Sequence, residues 1–400
     1  MLKTVTARRL ICGSHEIQYP VLTLQQDGTI VDIGTDERAL ANDMTTLTAA
    51  LFDIHIHGSW GIDFMNAGAA EFLEVQGFLA QHGVARFLPT TVTAPIDFTL
   101  RALDRMADAI ETSDRSAGVA QPVGIHVEGP FLSHSKRGMH PADALQAPSI
   151  ELFEKMQQAA RGHIRLATIA PEPHAGPFRH ESHRFAPCTA LELIRHLADK
   201  GVRCSIGHTN ANESEASAAI AAGAVSATHT FNAMRALDHR QPGALGVVLD
   251  DDRLYADLIC DGVHVAASAV RLWWKAKGSQ RSILITDALS ATGMGNGEYV
   301  AGDTAVVVGG ERALVSSDLR SGKETLAGSI LTLERAIGKL RAFTGASLAQ
   351  ATGAASHNPA AMLGFSGQTR IEPGTIANLV RWDENGNLLA TYICGEEIPR

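Results

Sequence analysis

Two periodicities alternate along the chain. The first 47 or so residues read as short strands with turns: Val21 to Leu24, then Asp27-Gly28, then Thr29 to Ile33 is a hairpin pattern. From about residue 48, short apolar runs rich in β-branched residues alternate with 3.6-periodic segments. Eight such runs lie near Ala49–Ile56, Val84–Val92, Pro122–Val127, Ile164–Ala170, Val202–Ile206, Val225–Thr228, Leu254–Ile259 and Ser282–Thr286. Between them, 95–111 carries apolar residues at Phe98, Leu100, Leu103, Met106 and Ile110, with Pro95 where a missing N–H costs nothing. The segment 189–200 stops at Gly201, and 216–222 stops at Gly223. Strands that are almost wholly apolar fit a sheet covered on both faces. Eight strand–helix units over about 240 residues predict an α/β fold of the (β/α)8 TIM-like barrel type. Beyond the eighth run come a Gly-rich loop (Gly293 to Gly297), strands over Val300 to Val308 and a helix expected from Thr325 to Phe343. The tail returns to strand at Ala377 to Trp382 and Leu388 to Ile393. The expected division is a small β-domain from 1–47 plus 368–400, and a barrel over 48–367.

Composition narrows the class. Of 400 residues, 45% are hydrophobic and 19% charged, a globular balance that argues against disorder. The 34 Lys+Arg against 43 Asp+Glu leave a net charge of −9, which argues against a nucleic-acid binder and its basic face. No segment approaches the roughly 18 consecutive apolar residues of a membrane helix, and the start lacks the apolar core of a secretory signal. The five cysteines are odd in number and widely spaced, with no C-x-x-C pair, so neither a disulfide framework nor a cysteine zinc site is expected. The expectation is a cytoplasmic, reduced protein.

In such a barrel, chemistry gathers where the strands end. The first run closes on Asp53-Ile-His55-Ile-His57, the third on His126-Val-Glu128, the fifth on Gly207-His208, the sixth on His229 and the eighth on Asp287. Side chains two apart on a strand share a face, so His55 and His57 can reach one ion. Glu128, His208 and His229 arrive at the same mouth from other strands. Imidazole and carboxylate donors suit zinc and other divalent transition metals. Five such ligands plus Asp287 exceed the need of one four-coordinate ion, and a Glu bridging two ions accounts for the surplus. Taken singly, each residue has a plain structural reading as a cap or a satisfied core imidazole; their joint placement at strand ends does not.

At these residues the chain resembles the amidohydrolase superfamily, and within it the N-acetylglucosamine-6-phosphate deacetylases. The resemblance rests on Phe52-Asp-Ile-His-Ile-His-Gly58, His126-Val-Glu-Gly-Pro-Phe-Leu132, Gly138-Met-His-Pro141, Gly207-His-Thr-Asn210, Thr228-His-Thr-Phe-Asn-Ala-Met234, His239-Arg-Gln-Pro-Gly243, Asp261-Gly-Val-His-Val265, Thr286-Asp-Ala288 and Leu326-Ala-Gly-Ser-Ile-Leu-Thr332. It implies a deformed barrel with a small β-domain built from both termini. It further implies metal ligation by Glu128, His208 and His229, with His55 and His57 building a second metal position beside Asp287. One or two divalent ions would be held, zinc first, with iron, manganese, cobalt or nickel as alternatives. By the same resemblance Asp287 is the catalytic acid/base and His140 polarises the amide carbonyl. Asn232, Ala233, Arg240 and His264 correspond to sugar-phosphate contacts. The implied assembly is a homodimer, in which a phosphate contact can come from the neighbouring subunit. The chain departs from the family's usual pattern at Asp238 and Gln241, which move a carboxylate from one side of Arg240 to the other, and at Arg235.

The implied reaction is hydrolysis of the N-acetyl group of a phosphorylated amino sugar to acetate and the free amine. Metal binding lowers the pKa of water from about 15.7 to roughly 7 and so supplies a nucleophile without Ser or Cys. Asp287 would take a proton from that water and return it to the leaving nitrogen. Rival readings are deacetylation of the C4 epimer N-acetylgalactosamine 6-phosphate, another amidohydrolase such as a cyclic-amide hydrolase or nucleobase deaminase, and a non-catalytic sugar-phosphate binder. The fourth run, 164–171, has no Lys to be carboxylated, and a pure binder has no use for Asp287. Trp273 and Trp274, within the helical run 265–277, are expected to pack rather than to stack on a sugar.

Overall fold

The computed structural model describes residues 2–400 apart from 14, 115–117, 174–175, 178–183 and 303. Eight parallel strands form the barrel: β1 (Leu51–Ile56), β2 (Val84–Thr91), β3 (Ile125–Glu128), β4 (Ile164–Ile169), β5 (Arg203–Ile206), β6 (Ala224–Ala227), β7 (Tyr255–Ile259) and β8 (Ser282–Ile285). Neighbours pair in order from β1 to β8. The strands carry almost only buried side chains, as expected of a sheet walled by helices on its outer face. Helices Ile96–Thr112, Ala190–Asp199 and Glu213–Ala222 lie close to where the 3.6-residue period put them. Thr189 and Asn212 each cap their helix with a side-chain oxygen.

Closure between β8 and β1 is partial and is concentrated at the mouth. The Asp287 N–H donates to the His55 carbonyl at 2.8 Å, and the His57 N–H to the Ala288 carbonyl at 2.9 Å. One step below, the buried Asp53 carboxylate accepts the Thr286 hydroxyl at 2.6 Å. Lower still, the Phe52 N–H bonds the carbonyl of Ala355 rather than β8. These ties at the top hold the first and last strands together, and a helix end fills the wedge beneath.

Both termini build the sheets beside the barrel. A six-stranded sheet runs in the order Glu396–Pro399, Leu388–Ile393, Leu379–Trp382, Thr46–Ala49, Arg9–Cys12, His15–Gln18. A second sheet holds Lys3–Thr6, Pro20–Leu24 and Ile30–Thr35. Leu10, Leu22, Leu47, Leu379 and Tyr392 share a core there, separate from that of the barrel. Two boundaries differ from expectation. The run read as Ala49–Ile56 is two strands: Ala49 pairs with Leu379 in the terminal sheet, and the barrel strand starts at Leu51. The helix expected from Thr325 starts only at Leu333. The residues before it are pulled into extended pairing, with Leu326 against Leu314 and the Ser329 N–H donating to the Asp287 carbonyl at 2.8 Å. Tertiary pairing overrides the local apolar period there. A three-stranded meander (Gly297–Ala301, Thr304–Gly309, Arg312–Val315) follows the Gly-rich loop and has its own small core.

Candidate metal centre and catalytic site

Local backbone geometry aims the chemistry-bearing side chains inward. His55 and His57 occupy one face of β1, and Glu128 closes β3. His208, His229 and Asp287 each stand two residues beyond a strand end, with φ of 45°, 32° and 50°. A non-glycine residue in this left-handed region costs on the order of 1–3 kcal/mol. Three such residues at one mouth mark backbone held against its own preference so that each side chain turns back over the barrel axis.

Glu128 is the hub. Its Oε1 lies 3.1 Å from His208 Nε2 and 3.0 Å from His229 Nε2. Its Oε2 lies 3.2 Å from His57 Nε2, 3.5 Å from His55 Nε2 and 3.4 Å from His140 Nε2. Asp287 Oδ1 is 3.1 Å from His57 Nε2 and 3.4 Å from His55 Nε2. His208 and His229 Nε2 are 3.0 Å apart. Two groups therefore have donor atoms close enough for one ion each: His55, His57 and Glu128, and Glu128 with His140 and His208. All are buried.

Hydrogen bonding on the far side of each ring sorts these imidazoles. A carbonyl only accepts, so a ring nitrogen facing one carries the proton. His57 Nδ1 donates to the Thr90 carbonyl (3.2 Å), His208 Nδ1 to that of Lys136 (2.8 Å) and His229 Nδ1 to that of Asn232 (3.2 Å). Once neutral, these rings present a lone pair at Nε2, as a metal ligand must. His140 is wired the opposite way. The Thr93 N–H donates to its Nδ1 at 3.2 Å, which leaves the proton on Nε2. On distance alone His140 joins a ligand set; its tautomer makes it a hydrogen-bond donor instead.

The electrostatics agree. Burial and neighbouring His208 outweigh Glu128 and pull His140 down to about 4, so its ring is neutral. Burial also opposes charge on His57, but hydrogen bonds to Asp287 and Glu128 win and push it up to about 10. His229 rises to about 9, against burial, through Glu128. Burial would raise Asp287, yet His55 and His57 hold it below the usual carboxylate range, ionised at neutral pH. Two buried carboxylates thus draw positive charge into the cluster. A divalent ion meets that demand, displacing protons from Nε2 as it binds. The donor set fits such an ion.

Over the cluster lies a cavity of about 150 Å³, bounded by His57, Glu128, His140, His208, His229 and Asp287 at its floor. Asn232, Ala233 and His264 line it too, as do Met139, Leu326 and Gly328. Arg240 does not. It is exposed and borders a separate depression together with Arg235 and Gln241. Trp273 is fully buried in the core, with Trp274 packed against it. Sequence reasoning missed the supporting residues: Thr93, which sets the His140 tautomer; Asp257, whose carboxylate accepts the His229 N–H; and Glu172, which accepts from Asn210 N (2.8 Å) and the Thr209 hydroxyl. None carries a motif of its own. Ala233, like His208 and His229, has a positive φ, 52°, which no residue-type pattern signals.

Comparison with known proteins bears on the family and the fold. Residues 46–398 match the amidohydrolase family. The chain is 37% identical to the N-acetylglucosamine-6-phosphate deacetylase of Bacillus subtilis (strain 168), covering 88% of this chain and 84% of that protein. It is 32% identical to the N-acetylgalactosamine-6-phosphate deacetylase of Escherichia coli O157:H7, over 99% of both. Among solved structures, the Mycobacterium smegmatis N-acetyl-D-glucosamine-6-phosphate deacetylase, an Asp-to-Ala variant in complex with N-acetyl-D-glucosamine-6-phosphate, superposes with a TM-score of 0.86 at 30% identity, covering 100% of this chain and 99% of that one. The chain belongs to the amidohydrolase family and, within it, to the N-acetylglucosamine-6-phosphate deacetylases.

Proposed function

We propose that this protein hydrolyses the N-acetyl group of N-acetylglucosamine 6-phosphate to glucosamine 6-phosphate and acetate, in amino-sugar catabolism. The observation that carries the reading is the single buried Glu128 shared by two imidazole groups, with ionised Asp287 beside it and a differently wired His140 facing both. The ligands are His55, His57, Glu128, His208 and His229, with Asp287 at the second position; zinc suits this N/O donor set best. Such an ion supplies Lewis-acid polarisation and acidifies water toward neutrality. Asp287 accepts a proton from the attacking water and returns it to the departing nitrogen as the C–N bond breaks. The His140 Nε2–H hydrogen-bonds the developing oxyanion. Asn232, Ala233 and His264 bind the sugar phosphate. Arg240, exposed and outside the cavity of its own chain, serves a neighbouring subunit in a homodimer. The described residues form no disulfide, which fits a reducing, cytoplasmic location.

A second reading, deacetylation of the C4 epimer, draws on the full-length match to the N-acetylgalactosamine-6-phosphate deacetylase. Acetate release from both epimers by zinc-loaded protein tests the two together. Faster turnover of the gluco sugar is expected; the reverse result favours the epimer, and no release from either removes the proposal.

A further inference from the structure

Beyond the ligand cluster, a second acid–imidazole pair sits at the end of β7. Asp261 Oδ1 accepts the backbone N–H groups of Val263 and His264, each at 2.8 Å, and so folds the chain into a tight turn. Its Oδ2 accepts the Nδ1–H of His264 at 2.6 Å. Gly262, at φ +79°, completes the turn, with Phe343 only 3.1 Å from where a Cβ would stand. The side chains of His264 and Asp261 are 6% and 9% exposed. His264 Nε2 is buried without a hydrogen-bond partner among the described residues, and His264 lines the catalytic cavity.

Hydrogen-bond accounting then restricts what His264 can do. With Nδ1–H committed to Asp261, a neutral ring leaves a lone pair at Nε2, which repels a phosphate oxygen. Only the doubly protonated ring presents an N–H there, and it brings a positive charge. Apart from the ligand imidazoles and His140, His264 is the one lining side chain of the same chain, among the described residues, that can carry positive charge to a phosphate. The cavity's described lining residues include the carboxylates of Glu128 and Asp287 but neither Lys nor Arg. Asp261 is well placed to balance the imidazolium: burial pushes its carboxyl up, but the bonds from His264 hold it below its usual range.

We infer that Asp261 is a positioning residue that holds His264 as a cationic donor aimed into the cavity, and that through His264 it sets the preference for a phosphorylated over an unphosphorylated sugar. This deepens the deacetylase reading and rests on it. Asp261 touches no substrate; it acts through the imidazole.

The test compares the wild-type zinc enzyme with Asp261→Asn. Asparagine keeps the oxygen that accepts from Val263 and His264 but presents an amide donor to Nδ1, so the ring becomes neutral with its proton on Nε2: the donor stays and the charge is lost. The KM for N-acetylglucosamine 6-phosphate should rise about tenfold, the difference between a charged and a neutral hydrogen bond. Its kcat should change by less than about threefold, as should the KM for unphosphorylated N-acetylglucosamine. In wild-type protein labelled with ¹⁵N-histidine and saturated with glucosamine 6-phosphate, both His264 nitrogens should be protonated. Equal KM increases for the two sugars, a loss confined to kcat, or a singly protonated His264 in that complex would overturn the inference. Should Asp261→Asn not fold, the wild-type spectrum decides alone. If the wild-type enzyme releases no acetate, the deacetylase reading falls, and the same spectrum with inorganic phosphate still decides how Asp261 holds His264.

Discussion

Residue by residue, the imidazoles at the barrel mouth differ less in position than in which nitrogen holds the proton. His57, His208 and His229 are anchored on carbonyls, and His140 on a backbone N–H. That difference separates ligands from donor and is testable. His140→Gln should lower kcat by about 10²- to 10³-fold, the weight of an oxyanion donor. Metal content, measured by atomic emission, should stay at the wild-type level; loss of metal would return His140 to the ligand set. For Asp287→Asn we expect kcat to fall by about 10²- to 10⁴-fold, the range for a missing general acid/base. Binding of glucosamine 6-phosphate by calorimetry should persist, and retained turnover would remove Asp287 from its role. The sequence made the identities of these residues readable because ligand chemistry admits few residue types and strand ends are recognisable from apolar runs. It did not make the tautomers readable. Lys136 and Asn232 act through backbone atoms, which leave no trace in residue choice, and Thr93 joins its backbone N–H to a hydroxyl 2.9 Å from the same ring nitrogen.

At the scale of elements, loops rather than strands set the geometry, and they are braced by buried carboxylates. Glu172 follows β4 and grips Thr209 and Asn210 beyond β5. Thr209 in turn pairs with the loop beyond β6, its N–H on the Ala233 carbonyl at 3.0 Å and its carbonyl taking the Arg235 N–H at 3.1 Å. His208 and Ala233 are thus held by one chain of bonds. Glu172→Ala should destabilise the fold by about 1–3 kcal/mol, since it strands the Asn210 N–H and a buried hydroxyl. It should also weaken zinc binding at His208, as read by competition with a chromophoric chelator; unchanged metal affinity would show that the brace serves stability alone. The element pattern was largely legible, because strands buried on both faces and capped helices follow local rules. It failed where distant segments pair. The stretch before Leu333 has an apolar period suited to helix, yet it lies extended against Leu314 and Asp287. Only the folded barrel supplies those partners.

On the scale of the whole molecule, the ion and the fold are linked. The proposed ligands converge from β1, β3 and the ends of β5, β6 and β8, so an ion held by them binds only the assembled barrel. A ligand of the native state alone stabilises it by about 2.7 kcal/mol at a concentration of 100 times Kd. Chelation should therefore abolish acetate release and lower Tm by several degrees, and zinc should restore both; an unchanged Tm would mean that no ion binds the folded chain in preference to the unfolded one. The terminal sheets were foreseen in outline, since strand patterns sit at both ends of the chain. Their seam with the barrel at Ala49–Leu51 was not, because one uninterrupted apolar run serves both structures.

The thin closure between β1 and β8 places His55 and His57 on the first stave of the barrel and Asp287 on the last, some 230 positions later in synthesis. A nascent chain arrested before residue 287 carries the proposed ligands of β1, β3, β5 and β6 but not the edge that β1 must meet, so it lacks both the closed ring and the proposed base. Turnover is thus expected only after the final stave has left the ribosome, and catalytic output doubles as a receipt for a finished circle.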